Sequence, residues 1–453
     1  AYAIYAPGNH STVTLQSASL SSGPEIRIDS AIFAAGNIIT QSSSATSPMT
    51  STVVSASGKL ESLAGNITIG SAELISVSGM LLAGRGTITV TSTANTTLAS
   101  TSRIDSSTAI SLTTGADLLI DGTIGTQIAP QELTLIAATG KISVAAATGR
   151  LHSARSVLID AQTVHFDGVL QTTAETTDTN DYEVRVLADS LRLTGSFSVQ
   201  GSIEIQTPTT PEIYNFSAAA SGSSARILLR SDADLNIGRL TLNERSKWIS
   251  QTAEFQASQR ITLQAPAGSV VVNNGSSLAS TADNSAISIR SAGIQIIGTL
   301  VAGAEVSNDG TLAWKGTDSD ISLVASEIAL GGMGVCPCGM QRTRGGSVQA
   351  SGDIVFNATG SGPGNTISLN SFSFVGTLPY GSESLPTVAA TPSISLLSDG
   401  NMEILGLLDA RGTGGDLLLD ASGGILIDSM ITAADSMNIS SRLASGTSVE
   451  VTQ

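Results

Sequence analysis

The sequence predicts an all-β fold, a right-handed parallel β-helix (β-solenoid) with about 20–27 residues per coil and inserted loops. Three observations predict it. Aliphatic residues alternate with small polar ones at a spacing of two, which places them on one face of an extended backbone. Variants of that unit return every twenty-odd positions. Hydrophobic residues make up 41% of the chain but aromatic residues only 3%, too few for globular cores in 453 residues, so the interior is a long, thin column of Ile, Val, Leu and Ala. Helical repeats are excluded because they need apolar spacings of three and four. The right-handed sense follows from the rule for strand-crossover-strand connections.

From Ala1 to about Ser62 the alternation is loose, with Val13 and Leu15, Ile26 and Ile28, then Ile38 and Ile39. Residues 1–64 therefore read as irregular N-terminal coils or a cap, with a Ser-rich loop from Gln41 to Ser57. Residues 65–440 are the predicted shaft. Its first-strand pair stands at Ile67/Ile69, Ile88/Val90, Ile110/Leu112, Leu133/Leu135, Val157/Ile159, Val184/Val186 and Ile203/Ile205. It continues at Ile227/Leu229, Ile261/Leu263, Ile287/Ile289, Ile321/Leu323, Ile354/Phe356, Ile394/Leu396, Leu417/Leu419 and Met437/Ile439. The wider intervals in this second series mark inserted loops or weakly written extra turns.

A second strand follows the first and repeats apolar-x-apolar-x-Gly-x-apolar, as in Val77-x-Gly79-x-Leu81 and Val164/Phe166/Gly168/Leu170. The glycine marks a corner, since it has no side chain to pack inward. In Ser285–Gly303 the bend is expected between Ile289 and Ile294. Residues 441–453 read as a tail or the start of a further coil. About 17 to 19 coils at the strand spacing would span on the order of 80 to 90 Å. Departures from the rhythm, where binding residues would be grafted, are Glu175–Tyr182, Thr207–Ser224, Leu240–Gln259, Val306–Asp320, Gly331–Gly346 and Gly376–Pro392.

A net charge of -16 with 21 Lys and Arg disfavours nucleic acid, which needs clustered cations. No apolar run is long enough for a transmembrane helix. The start, Ala1-Tyr2-Ala3, reads as a processed chain or a fragment. The two cysteines, Cys336 and Cys338, flank a proline in a Gly-rich insert and read as a local disulfide or two free thiols. Asn9, Asn66, Asn95, Asn215, Asn274, Asn357 and Asn438 begin N-x-S/T sequons, candidates for N-glycosylation in a secreted chain.

Catalytic chemistry finds little to build on. Paired carboxylates of the kind polysaccharide-cleaving enzymes use occur at Asp178/Asp181, Asp232/Asp234 and Asp318/Asp320, in separate loops without recurring cations, and read as solvated. His10, His152 and His165 lack ligand spacing, so no catalytic residue, metal site or cofactor is expected. Trp248 and Trp314 lie in polar inserts, where a ring can stack on a sugar or cover its loop.

The units GNITIGSAELISVSGMLLAG and GDLLLDASGGILIDSMITAADS resemble the repeats of filamentous-haemagglutinin-type adhesins and related autotransporter passengers, over roughly Gly65 to Ile439. That resemblance implies a right-handed β-helical shaft, secreted and displayed on a cell surface, that adheres to host cells or other microbes. The expectation is therefore a non-enzymatic extracellular structural or adhesive rod, the shaft of a surface adhesin or the subunit of a surface filament. Its partners would be copies of itself stacked end to end, further parts of a larger chain, or surface glycans or proteins. The alternative is a carbohydrate-active β-helix enzyme or tailspike acting on polysaccharide.

Overall fold

The computed structural model describes residues 4–8, 11–18, 25–43, 51–174, 182–242, 248–306, 312–335, 341–360, 365–377, 392–411, 414–442 and 449–452. They fall into two compact units, Ala1–Gln206 and Thr207–Gln453. Strands are the regular elements among the described residues, and in each unit they stack in parallel as the coils of a β-helix.

In the first unit a coil has three strands, for example Ile67–Ser71, Leu74–Val77 and Met80–Ala83. Each pairs in parallel with its counterpart one coil on, Ile88–Ser92, Thr96–Leu98 and Arg103–Ser106. The register joins the predicted first-strand residues directly: Ile67 to Ile88, Ile110, Leu133, Val157, Val184 and Ile203. All of them are buried. Each such side chain contributes about 1.5–3 kcal/mol by leaving water. Edge-to-face packing of Phe166 on Phe197, centroids 4.8 Å apart, thickens the core locally.

The predicted second strand is two strands. The apolar alternation continues through Val77-x-Gly79-x-Leu81, but the backbone turns at the glycine, so Leu74–Val77 and Met80–Ala83 lie on different sheets. A Cβ on Gly79 would sit 2.1 Å from the Gly58 carbonyl oxygen and 2.3 Å from that of Ser55. The expected Ser-rich loop is likewise part of a coil at its ends, as Ile38–Ser43 and Ser51–Val54 pair with Ile67–Ser71 and Leu74–Val77. Residues 44–50 lie outside the described ones.

The second unit repeats the scheme, with Ile227, Ile261, Ile287, Ile321, Ile354, Ile394, Leu417 and Met437 in one register column. Partners this far apart in sequence are immediate neighbours in the ladder, so the wide intervals are insertions and not extra turns. Ala286–Ile296 is continuous as a strand but pairs with two successive strands, Asp320–Ala325 and Glu327–Leu330, so the expected change of direction lies between Ile289 and Ile294, and a further turn follows at Gly298. The small residues Ser291, Ala292 and Gly293 let the strand change direction without breaking, whereas a Cβ at Gly298 would meet the Ser276 carbonyl at 2.4 Å. Thr207–Ser224 is also not purely an insert, since Phe216–Ser221 pairs with Ala253–Ala257 as a regular third strand.

Hydroxyls line inner corners of the coils, between the first and second strands in the first unit and between a third strand and the next coil's first strand in the second. Ser92 Oγ meets Thr96 Oγ1 at 2.9 Å and Thr114 Oγ1 at 3.1 Å in the first unit. Ser285 Oγ meets Ser280 Oγ and Ser319 Oγ, both at 3.0 Å, in the second. These buried polar groups satisfy one another, which removes the cost of burying them alone.

Candidate binding edge

Among the described residues, three antiparallel hairpins leave the second unit: Arg239–Leu242 with Trp248–Gln251, Ala304–Val306 with Leu312–Trp314, and Gly332–Val335 with Gln341–Arg344. Each begins immediately after a glycine at positive φ, Gly238 at 79°, Gly303 at 90° and Gly331 at 101°. That backbone conformation is strained for other residues and turns the chain out of the coil. The sequence carries this signal, a glycine directly after a strand and before the insert, and periodicity alone does not single it out.

The first and third hairpins leave the same corner, between the second and third strands of their coils. The strand Trp248–Gln251 lies against the strand Gly332–Val335, so the two hairpins meet. The middle hairpin leaves the other corner, after a third strand. Trp248 and Trp314, read together from sequence, are therefore on different edges. Trp314 is half-buried, opposite Ala304 in the hairpin register, and its Nε1 is buried without a hydrogen-bond partner among the described residues.

Neighbouring coils pin both hairpin roots. Asn273 Nδ2 donates to the Gly238 carbonyl at 3.0 Å, and the Ala253 N–H donates to Ser276 Oγ at 3.1 Å. At the other root, Gln295 Nε2 donates to the Gly331 carbonyl at 3.2 Å and Asn370 Nδ2 donates to the Arg344 carbonyl at 2.8 Å. Asn370 Oδ1 accepts the Phe372 N–H at 3.1 Å, in a turn that leaves the Phe372 side chain 67% exposed on the same corner. Arg239, exposed, lies with its guanidinium 5.5 Å from the centre of the Tyr214 ring, a cation–π distance.

Two of the candidate carboxylates, Asp320 and Asp234, are engaged between coils. Asp320 Oδ1 accepts the Asp353 N–H at 2.8 Å, and Asp353 Oδ1 accepts both the N–H and the Oγ–H of Ser393 at 2.8 Å. Asp234 Oδ1 likewise accepts the Ser269 N–H at 2.7 Å, and Asp416 Oδ1 the Ser436 N–H at 3.0 Å. The first unit does the same with Asn37, Asn66, Asn95 and Asp117, each accepting an N–H one coil later. Burial pushes Asp320 above its ordinary range, and the charges of Asp353 and Asp318 add to this against the N–H it accepts. Asp318 itself has φ of 55° and a buried Oδ1 without a hydrogen-bond partner among the described residues. Hydroxyl and N–H donation from Ser436 holds Asp416 low.

Asp178, Asp181, Cys336, Cys338, His10 and Asn9 lie outside the described residues. Among the sequons, Asn66, Asn95, Asn215 and Asn438 are exposed, and Asn274 and Asn357 are half-buried. Asn215 sits beside Tyr214 at φ of 49°, on the corner that carries the two meeting hairpins. No group of three or more His, Cys, Asp or Glu among the described residues could hold a metal ion. No family model, curated protein or solved structure matches the chain.

Proposed function

We propose that this chain is a non-enzymatic, extracellular structural or adhesive element, the shaft of a cell-surface adhesin or the subunit of a surface filament. One observation carries the reading: two of the candidate carboxylates, Asp320 and Asp234, serve as acceptors for the next coil's backbone. Residues used in this way hold coils together. Rigidly rooted hairpins on one corner then supply the contact surface, since binding residues are best displayed on loops held by a stiff scaffold. The repeat resemblance to surface adhesins points the same way, and further copies or further parts of a longer chain would stack on the coil ends. Incubation with a panel of polysaccharides tests it. No reducing ends should appear, and antibody to the chain should label intact cells at their surface. Cleavage abolished by Asp318→Ala or Asp320→Ala would replace this reading with that of a carbohydrate-active enzyme.

A further inference from the structure

From a groove at one corner of the first unit we infer a binding site for a sugar residue that carries a carboxylate. The inference rests on the adhesive reading above and names its ligand class. The groove, of about 720 Å³, lies where the third strands Ala31–Ala34 and Lys59–Ser62 give way to the first strands Ile38–Ser43 and Ile67–Ser71. That volume falls within the range of small-ligand sites. Leu63, 51% exposed, and Ala35 give it apolar surface; Asn37 and Arg85, both exposed, give it polar groups, and no acid lines it.

The hydrogen bonds already made at this corner fix what a ligand must bring. Asn37 Oδ1 accepts the Asn66 N–H at 2.9 Å, which leaves the Asn37 amide N–H groups as donors without a partner among the described residues. The buried Ser62 Oγ lies 2.7 Å from the Gly36 carbonyl oxygen and 2.8 Å from that of Gly65, so these backbone acceptors of the lining are engaged. The Arg85 carbonyl accepts from Thr108 Oγ1 at 3.1 Å, and its guanidinium makes no ion pair with a described residue. Arginines without an ion pair occur elsewhere in the chain; Arg85 differs in sharing a groove with a second donor and an exposed aliphatic side chain. A ligand that fits supplies acceptor oxygens, one negative charge and a C–H face. A pyranose ring bearing a carboxylate has all three: the guanidinium takes the carboxylate in a bidentate pair, the amide donates to a ring or hydroxyl oxygen, and Leu63 covers the C–H side.

The test titrates the full chain with sialyllactose, a galacturonate trisaccharide and uncharged lactose, read by calorimetry and by saturation transfer to the ligand protons. One carboxylated probe should bind, lactose should bind at least about tenfold more weakly, and which probe binds tells a sialic-type sugar from a uronate. Arg85→Gln should weaken binding about tenfold. Arg260→Gln in the second unit, at an exposed arginine that also lacks an ion pair with a described residue, should change nothing, which separates the groove from diffuse charge. Leu63→Ser should reduce saturation transfer to the ring protons. If Arg85→Gln fails to fold, judged by its circular dichroism, Asn37→Asp keeps the acceptor for the Asn66 N–H, sets a negative charge beside the carboxylate and should abolish binding. Equal binding by the folded Arg85→Gln variant and the native chain would overturn the inference, as would equal affinity for lactose or for a glutamate-rich peptide. A chain that labels at the cell surface and cleaves no polysaccharide, yet ignores both carboxylated probes, would sink this inference alone and leave the adhesive reading standing.

Discussion

Asp320 does two opposed things with one carboxylate. It accepts the Asp353 N–H, yet it is pushed up by its own burial and by the facing charges of Asp353 and Asp318. A group with a folded pKa above its unfolded value stabilises the fold below the unfolded pKa and loses that contribution as pH rises through the folded one. At neutral pH Asp320 is therefore a net cost, and Asp320→Asn, which keeps an acceptor oxygen and removes the charge, should raise the melting temperature at pH 7. The gain should stay under about 1 kcal/mol, given the solvent exposure, and vanish below pH 4. Asp416 has the opposite sign: held low by Ser436, it stabilises above its unfolded pKa, and that contribution goes as pH falls through the folded value. Thermal melts of Ser436→Ala against the native chain should differ at pH 7 and converge toward pH 2. None of this was legible in the sequence. An Asp before the first aliphatic residue of a strand looks like any solvated loop carboxylate, and only the register places it under the next coil's N–H.

A strand or hairpin depends on the residues that start and stop it. Gly331 holds φ of 101° where the third hairpin departs, and a Cβ there would fall 1.9 Å from Asn370 Nδ2, the group that pins the hairpin root. Gly331→Ala should cost about 1–3 kcal/mol in urea unfolding, while Gly8→Ala, with open space around its Cβ position, should be neutral. The first strands could be read in register within each unit, from Ile67 to Ile203 and from Ile227 to Met437, because a period of two over β-branched residues has no helical counterpart. The division of the following stretch into two strands could not, since the alternation runs on through Gly79 while the backbone turns. Nor could the hairpins be told from extra coils, since an insert and a weakly patterned turn have the same length and composition.

Each unit is a stack in which a coil touches chiefly the coils before and after it, so its stability is a sum of coil terms and interface terms. A cavity in one coil should act locally. Ile287→Ala, at a fully buried position between Ile261 and Ile321, should cost about 2–5 kcal/mol, with faster amide exchange in the coils of Ile261, Ile287 and Ile321 and less change several coils away. Uniform acceleration throughout the second unit would show that it unfolds as one. The Asn and Asp ladders add a direction to this stack. In every case described the acceptor belongs to the earlier coil and the N–H to the later one, from Asn37 under Asn66 to Asp416 under Ser436. A chain emerging N-terminus first, from a ribosome or through a narrow pore, thus always presents a finished template whose free carboxamide or carboxylate awaits the segment to be made next. Winding can proceed in step with delivery, the newest turn always being the open one on the growing side.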